Sequence, residues 1–201
     1  IDAYNGSIAW LDIYPRGQQA SGNMPFNPMI FQGGQVPQNQ TRPWVYNPVI
    51  VCQGMVFTLP LEGKNLLIYD ATTGAEVKRI DLDDLSSRVK NDDIAEREEF
   101  TTLAGVVDDK LIVVGNRAVV ALNWKAYDAN HYDDYKMLFW DGIYPKSLRG
   151  RPFLTHDRLY LPMEDRLYML DLATGKVIDD YPKYPRSWPD DEEGPGNVLV
   201  T

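Results

Sequence analysis

A chain of 201 residues, 44% hydrophobic and 24% charged, is long enough to bury one sizeable core and too apolar to stay disordered. Twenty basic residues against 29 acidic ones leave a formal charge of -9, a field that repels a phosphate backbone and excludes nucleic acid as the expected partner. Cys52 is the only cysteine, which excludes an internal disulfide and a Cys-rich metal site.

Along the chain, residues 1–13 read as the end of a β-unit, with Asp2 and Gly6 bracketing a turn and Trp10 following it. Residues 14–44 are rich in Gly, Pro, Gln and Asn with little periodicity, and read as a long loop excursion ending at Trp44. Residues 45–82 carry the clearest strand pattern. Val49 to Cys52 and Met55 to Leu59 flank a tight turn at Gln53 and Gly54; Leu66 to Tyr69 then enters the turn Asp70 to Gly74, and Ala75 to Ile80 leaves it. The spacing predicts a four-stranded antiparallel meander.

Residues 83–100 read as a short helical insertion, with Leu82, Leu85 and Val89 at helical spacing and Ser86, Arg88, Lys90 and the later acids outward. Residues 101–125 form a second unit, with strands at Leu103 to Val107, Leu111 to Val114 and Ala118 to Leu122 and a worn turn at Asn123, Trp124 and Lys125. Residues 126–148 are an insertion dense in aromatics: Tyr127, Tyr132, Tyr135, Phe139, Trp140 and Tyr144, with His131 among them. Residues 149–181 repeat the pattern, with turns at His156 and Asp157, at Glu164 and Asp165, and from Asp171 to Gly175. Residues 182–195 are an acidic, Pro-rich loop containing Trp188, and 196–201 read as the first strand of a further unit. No run approaches the ~18 to 20 apolar residues that cross a bilayer, and the first residues do not read as a signal peptide.

The self-similarity is regular. Asp70 and Asn123 lie 53 residues apart, and Asn123 and Asp171 lie 48 apart, which suits one blade of a β-propeller at ~40 to 50 residues per repeat. The turn has a mechanical explanation that needs no ligand. An Asp carboxylate accepts hydrogen bonds from N–H groups two or three residues on, and the closing Gly supplies a positive φ. Asp2 and Gly6, Asp70 and Gly74, and Asp171 and Gly175 are therefore read as structural turn residues.

At "LDLATGKV" (170–177), "YDATTGAEV" (69–77) and "IDAYNGSIAW" (1–10) the chain resembles the PQQ-like β-propeller repeat family, which includes quinoprotein alcohol dehydrogenase-like propellers. The resemblance covers most of 45–181 and both ends. It implies an all-β propeller of four-stranded antiparallel blades: about three complete blades, partial blades at both ends, loop insertions and one short helix. The family's repeat often ends with a Trp four residues after the Gly. Trp10 matches; Lys78 and Asp179 stand at the other two places, so the ring of docked tryptophans is expected to be incomplete. Because the ends fall inside blades, the sequence reads as a segment of a longer chain, with exposed blade edges open to self-association.

Three functions are weighed. Some family members hold pyrroloquinoline quinone (PQQ) with Ca²⁺, and the alcohol enzymes bracket the quinone with adjacent cysteines. One cysteine departs from that pattern, and the acidic runs lack the alternating ligands of a calcium loop. No catalytic residue, cofactor or metal is therefore expected. His131 beside Asp128 or Asp133 is a possible base without a convergent nucleophile. A non-enzymatic scaffold with a protein partner is favoured, its candidate surface being Trp44, His131, Tyr132, Trp140, Tyr144 and Trp188, because aromatics dominate interface hot spots. The resemblance to the propeller lipoprotein of the outer-membrane assembly machine implies a periplasmic or otherwise exported location. The alternatives are a fragment of a quinone-dependent dehydrogenase and a polysaccharide- or peptide-binding propeller.

Overall fold

The computed structural model describes residues 10–11, 47–60, 63–89, 98–128 and 137–183. Twelve strands and one helix lie in these segments: β1 (Ile50–Cys52), β2 (Met55–Thr58), β3 (Asn65–Asp70), β4 (Glu76–Asp81), α1 (Leu82–Arg88), β5 (Phe100–Val107), β6 (Lys110–Gly115), β7 (Ala118–Asn123), β8 (Leu138–Ile143), β9 (Phe153–Leu154), β10 (Arg158–Pro162), β11 (Leu167–Asp171) and β12 (Val177–Tyr181). They form three four-stranded antiparallel sheets, β1 to β4, β5 to β8 and β9 to β12, each ordered as the chain runs. The protein is all-β, and its sheets are propeller blades.

The core lies between the sheets. Phe57, Leu66, Ile68 and Ile80 of the first sheet pack with Leu111, Val113, Val120 and Leu122 of the second. On the second sheet's other face, Ile112, Val114, Val119 and Ala121 pack with Leu159, Leu161 and Leu170 of the third. Because side chains alternate along a strand, a sheet covered on both faces must be apolar at every position, which is why β6 and β7 read as unbroken apolar runs. Each fully buried aliphatic side chain contributes about 1.5–3 kcal/mol, so the two junctions are the main source of cohesion. Asn47 adds a polar stitch: its amide donates to the carbonyls of Leu59 (3.0 Å) and Thr101 (2.8 Å) and accepts from Leu103 N (2.8 Å).

Helix α1 starts where Asp81 accepts from the N–H groups of Asp83 (2.8 Å) and Asp84 (3.2 Å), an N-cap with acids in the first turn. Leu82, Leu85 and Val89 are buried, as their spacing predicts. Ser86 differs from expectation: it is buried, because its hydroxyl satisfies itself by donating to Leu82 O at 2.7 Å.

The 126–148 segment also differs. It contains β8, the fourth strand of the second sheet, paired to β7 with Trp140 opposite Ala121. The turn before it keeps the repeat's geometry, since Asn123 Oδ1 accepts from Ala126 N (3.1 Å) and Asn123 O from Tyr127 N (3.0 Å). Tyr127 occupies the glycine's place. A side chain there resists the left-handed φ that lets the chain fold straight back after Gly74 and Gly175, so the fourth strand is displaced along the sequence.

Candidate functional site

The repeated turns are where one blade meets the next. Asp70 Oδ1 accepts from Thr72 N (3.0 Å), Thr73 N (2.7 Å) and the Thr73 hydroxyl (2.9 Å); Asp171 Oδ1 accepts from Thr174 N (2.8 Å) and its hydroxyl (2.7 Å). Hydrogen bonds from Thr73 hold the Asp70 carboxyl below the usual carboxylate range, and those from Thr174 do the same for Asp171. Gly74 (φ +73°) and Gly175 (φ +70°) close the turns.

A donor from the neighbouring unit rests on each turn. The Trp10 indole donates to Ala71 O at 3.2 Å and the Trp140 indole to Leu172 O at 2.9 Å, each acceptor being the residue just after the turn's Asp. Both indoles lie flush on backbone: a Cβ built on Gly74 or Gly175 would come within 2.5 Å of the ring. The second turn receives Lys78 instead. Its ammonium donates to the carbonyls of Trp124 (2.9 Å), Lys125 (2.9 Å) and Tyr127 (2.8 Å). Register makes the positions equivalent: Lys78 pairs with Ile68, Trp140 with Ala121 and Asp179 with Met169, each partner two residues before the turn's Asp or Asn. The third sheet thus presents Asp179 where the others present a donor, and Asp179 is held by the Lys183 ammonium and by Asp180 N at 2.8 Å.

Of the predicted surface, Trp44, His131, Tyr132 and Trp188 lie outside the described residues, as do Asp2 and Gly6. Trp140 and Tyr144 do not form an exposed surface. They are 8% and 5% exposed and belong to the core between the second and third sheets. Aromatic density offered them as a binding surface, whereas the structure uses both in the packing between sheets. Tyr144 takes N–H donation at its carbonyl from Arg117 Nε (3.0 Å), and its ring lies 5.1 Å from that of Tyr168. Burial raises the Tyr144 hydroxyl above its ordinary value and pushes Tyr168 up to about 12. His156 is exposed in its turn.

A polar cluster was not anticipated from the sequence. Arg166 is buried, with Nε donating to Asp165 Oδ2 (2.9 Å) and a terminal nitrogen donating to Asp180 Oδ2 (2.6 Å), while the Tyr168 hydroxyl donates to Asp165 Oδ2 (3.3 Å). The bond to Asp180 raises the guanidinium pKa further. Two carboxylates flank one guanidinium, so the trio keeps one net negative charge, and the bond to Asp180 ties the start of β11 to β12. Among the described residues no group of three or more His, Cys, Asp or Glu side chains is placed to hold a metal ion. No described helix is long and apolar enough to cross a membrane.

No family model and no curated protein matches the chain. Solved structures do align. BamB from Moraxella catarrhalis matches over 67% of this chain and 36% of its own, at 19% identity and a TM-score of 0.43. The computationally designed Ika4 protein matches over 78% and 79%, at 10% identity and a TM-score of 0.50. A europium-containing methanol dehydrogenase matches over 65% and 23%, at 12% identity and a TM-score of 0.41. The chain spans about a third of the length of that BamB chain. Identities this low bear on fold alone.

Proposed function

We propose that this chain is a section of a non-enzymatic PQQ-like propeller that serves as a protein-interaction scaffold in the cell envelope. The repeat resemblance supports the family and the location. The observation that carries the role is β12: among the described residues it is the edge strand of the third sheet, and it exposes Val177 (48%), Ile178 (48%) and Tyr181 (64%). An edge strand of this kind offers main-chain groups to an added strand and side chains to its specificity pockets. A rigid stack behind it lowers the entropy lost on binding.

The test is to recover the full-length protein from its native source, weigh it intact, assay it for quinone and calcium, and identify what co-purifies. The β12 variant Ile178→Asp serves as control. A partner lost on this substitution, with no stoichiometric quinone, supports the scaffold. A stoichiometric quinone with calcium overturns it, and a concentration-dependent mass of the purified chain alone would make a second copy the occupant of the edge. Cell fractionation tests the envelope location.

A further inference from the structure

The second turn differs from the other two in what it offers. An indole has one N–H and meets one carbonyl, as Trp10 and Trp140 do. Around Lys78 three carbonyls converge at 2.8–2.9 Å, one for each N–H of a primary ammonium. The three belong to Trp124, Lys125 and Tyr127, a single tight turn closed by the bond from Tyr127 N to Asn123 O. Their three oxygens converge on one point, the Lys78 ammonium, and concentrate partial negative charge there.

Contacts that do not involve Lys78 hold this turn. The Trp124 ring stands edge-on to Phe57, with centroids 5.1 Å apart at 84°. The Tyr127 hydroxyl donates to Asp84 Oδ2 at 3.5 Å, tying the turn to α1. Lys125 is turned aside by its ion pair with Asp109 at 2.6 Å, so its own charge is committed elsewhere. Burial works against the Lys78 ammonium and Asp128 works for it.

We propose that the turn Asn123 to Tyr127 is a preformed receptor for a primary ammonium, with Lys78 as its tethered ligand. The ligand class is a small primary ammonium, or a monovalent cation of similar size. The site goes beyond the scaffold reading and does not rest on it. With Lys78 truncated, the carbonyls remain in place and accept the ligand from solution.

The experiment uses the whole chain with Lys78→Ala, its unfolding midpoint titrated with methylammonium, ammonium and potassium chlorides. Tetramethylammonium chloride at matched ionic strength is the control. The expected result is a lowered midpoint that methylammonium restores saturably by at least half, while tetramethylammonium, which has no N–H and is too large, does not. The unsubstituted chain shows no difference between the salts. Identical responses to all four salts overturn the proposal. Should Lys78→Ala not fold, competitive acetylation of the unsubstituted protein with mass-spectrometric readout decides: Lys78 protected relative to exposed Lys64 and Lys183 supports the site, and equal reactivity overturns it. Lys78→Met keeps the aliphatic stem, and a midpoint unchanged in that variant also overturns the proposal.

Discussion

The Trp140 indole lies against Gly175 so closely that a Cβ on the glycine would sit 2.5 Å from the ring, while its N–H donates to Leu172 O at 2.9 Å. One side chain of the second sheet therefore satisfies and covers the turn of the third. Trp140→Ala opens a cavity at that junction and is expected to lower stability by about 3–5 kcal/mol. Trp140→Phe keeps most of the ring and loses the hydrogen bond, for about 1 kcal/mol. Denaturant unfolding of the three proteins checks the order; equal losses would mean that the ring is not docked.

Gly175 and Gly54 separate two effects. Both have positive φ, +70° and +73°, but nothing lies within 4 Å of a Cβ on Gly54. Gly54→Ala should show the backbone penalty alone, about 1–2 kcal/mol. Gly175→Ala adds the collision with Trp140 and should cost clearly more. Combined with Trp140→Ala the excess should vanish, because the space is then free. A double-mutant cycle in unfolding free energy reads this coupling directly.

Much of this architecture is legible in the sequence, and the exceptions have physical causes. The strands of the first and third sheets follow from short apolar runs between turn residues. Helix α1 follows from Leu82, Leu85 and Val89. β8 was hidden because Tyr127 replaces the turn glycine, so Trp140 does not fall four residues after a Gly. Lys78 read as a missing dock, since sequence shows that a side chain is not Trp but not that its ammonium reaches three carbonyls. Trp140 and Tyr144 read as surface because an aromatic-rich connector and a buried strand have the same composition. The Arg166 cluster brings Asp165 and Asp180 together only through the pairing of β11 with β12, a relation that spacing does not reveal.

Acid should weaken the turns. The folded-state pKa values of Asp70 and Asp171 are depressed by the Thr73 and Thr174 hydrogen bonds. Their contribution is therefore fully present above the unfolded carboxylate pKa of about 3.9 and is lost as pH falls through the lower folded value. Asn123 shows that an amide oxygen can serve the same turn. The double variant Asp70→Asn and Asp171→Asn should unfold with a shallower pH dependence below about pH 4 than the parent, so that the difference between the two is greatest at pH 7 and shrinks as the carboxylates protonate. Unfolding midpoints measured from pH 2 to 7 check the slope. Parallel curves would mean that these carboxylates titrate alike in both states.

Removing Arg166 should be more damaging than removing either of its partners. Its side chain is 10% exposed and lies between Asp165 and Asp180, which are 13% and 20% exposed. Arg166→Met keeps the stem and takes the guanidinium from both carboxylates, leaving Asp180 with the more distant Lys183 ammonium at 3.8 Å, at a cost of about 3–5 kcal/mol. Asp180→Asn leaves Arg166 paired with Asp165 and should cost less. Adding Asp180→Asn to Arg166→Met removes one of the stranded charges and should recover part of the loss, a sign opposite to additivity. Unfolding free energies of the two single variants and the double variant provide the check. If the double variant is as unstable as the sum of the singles, β11 and β12 are held by packing rather than by this charge cluster.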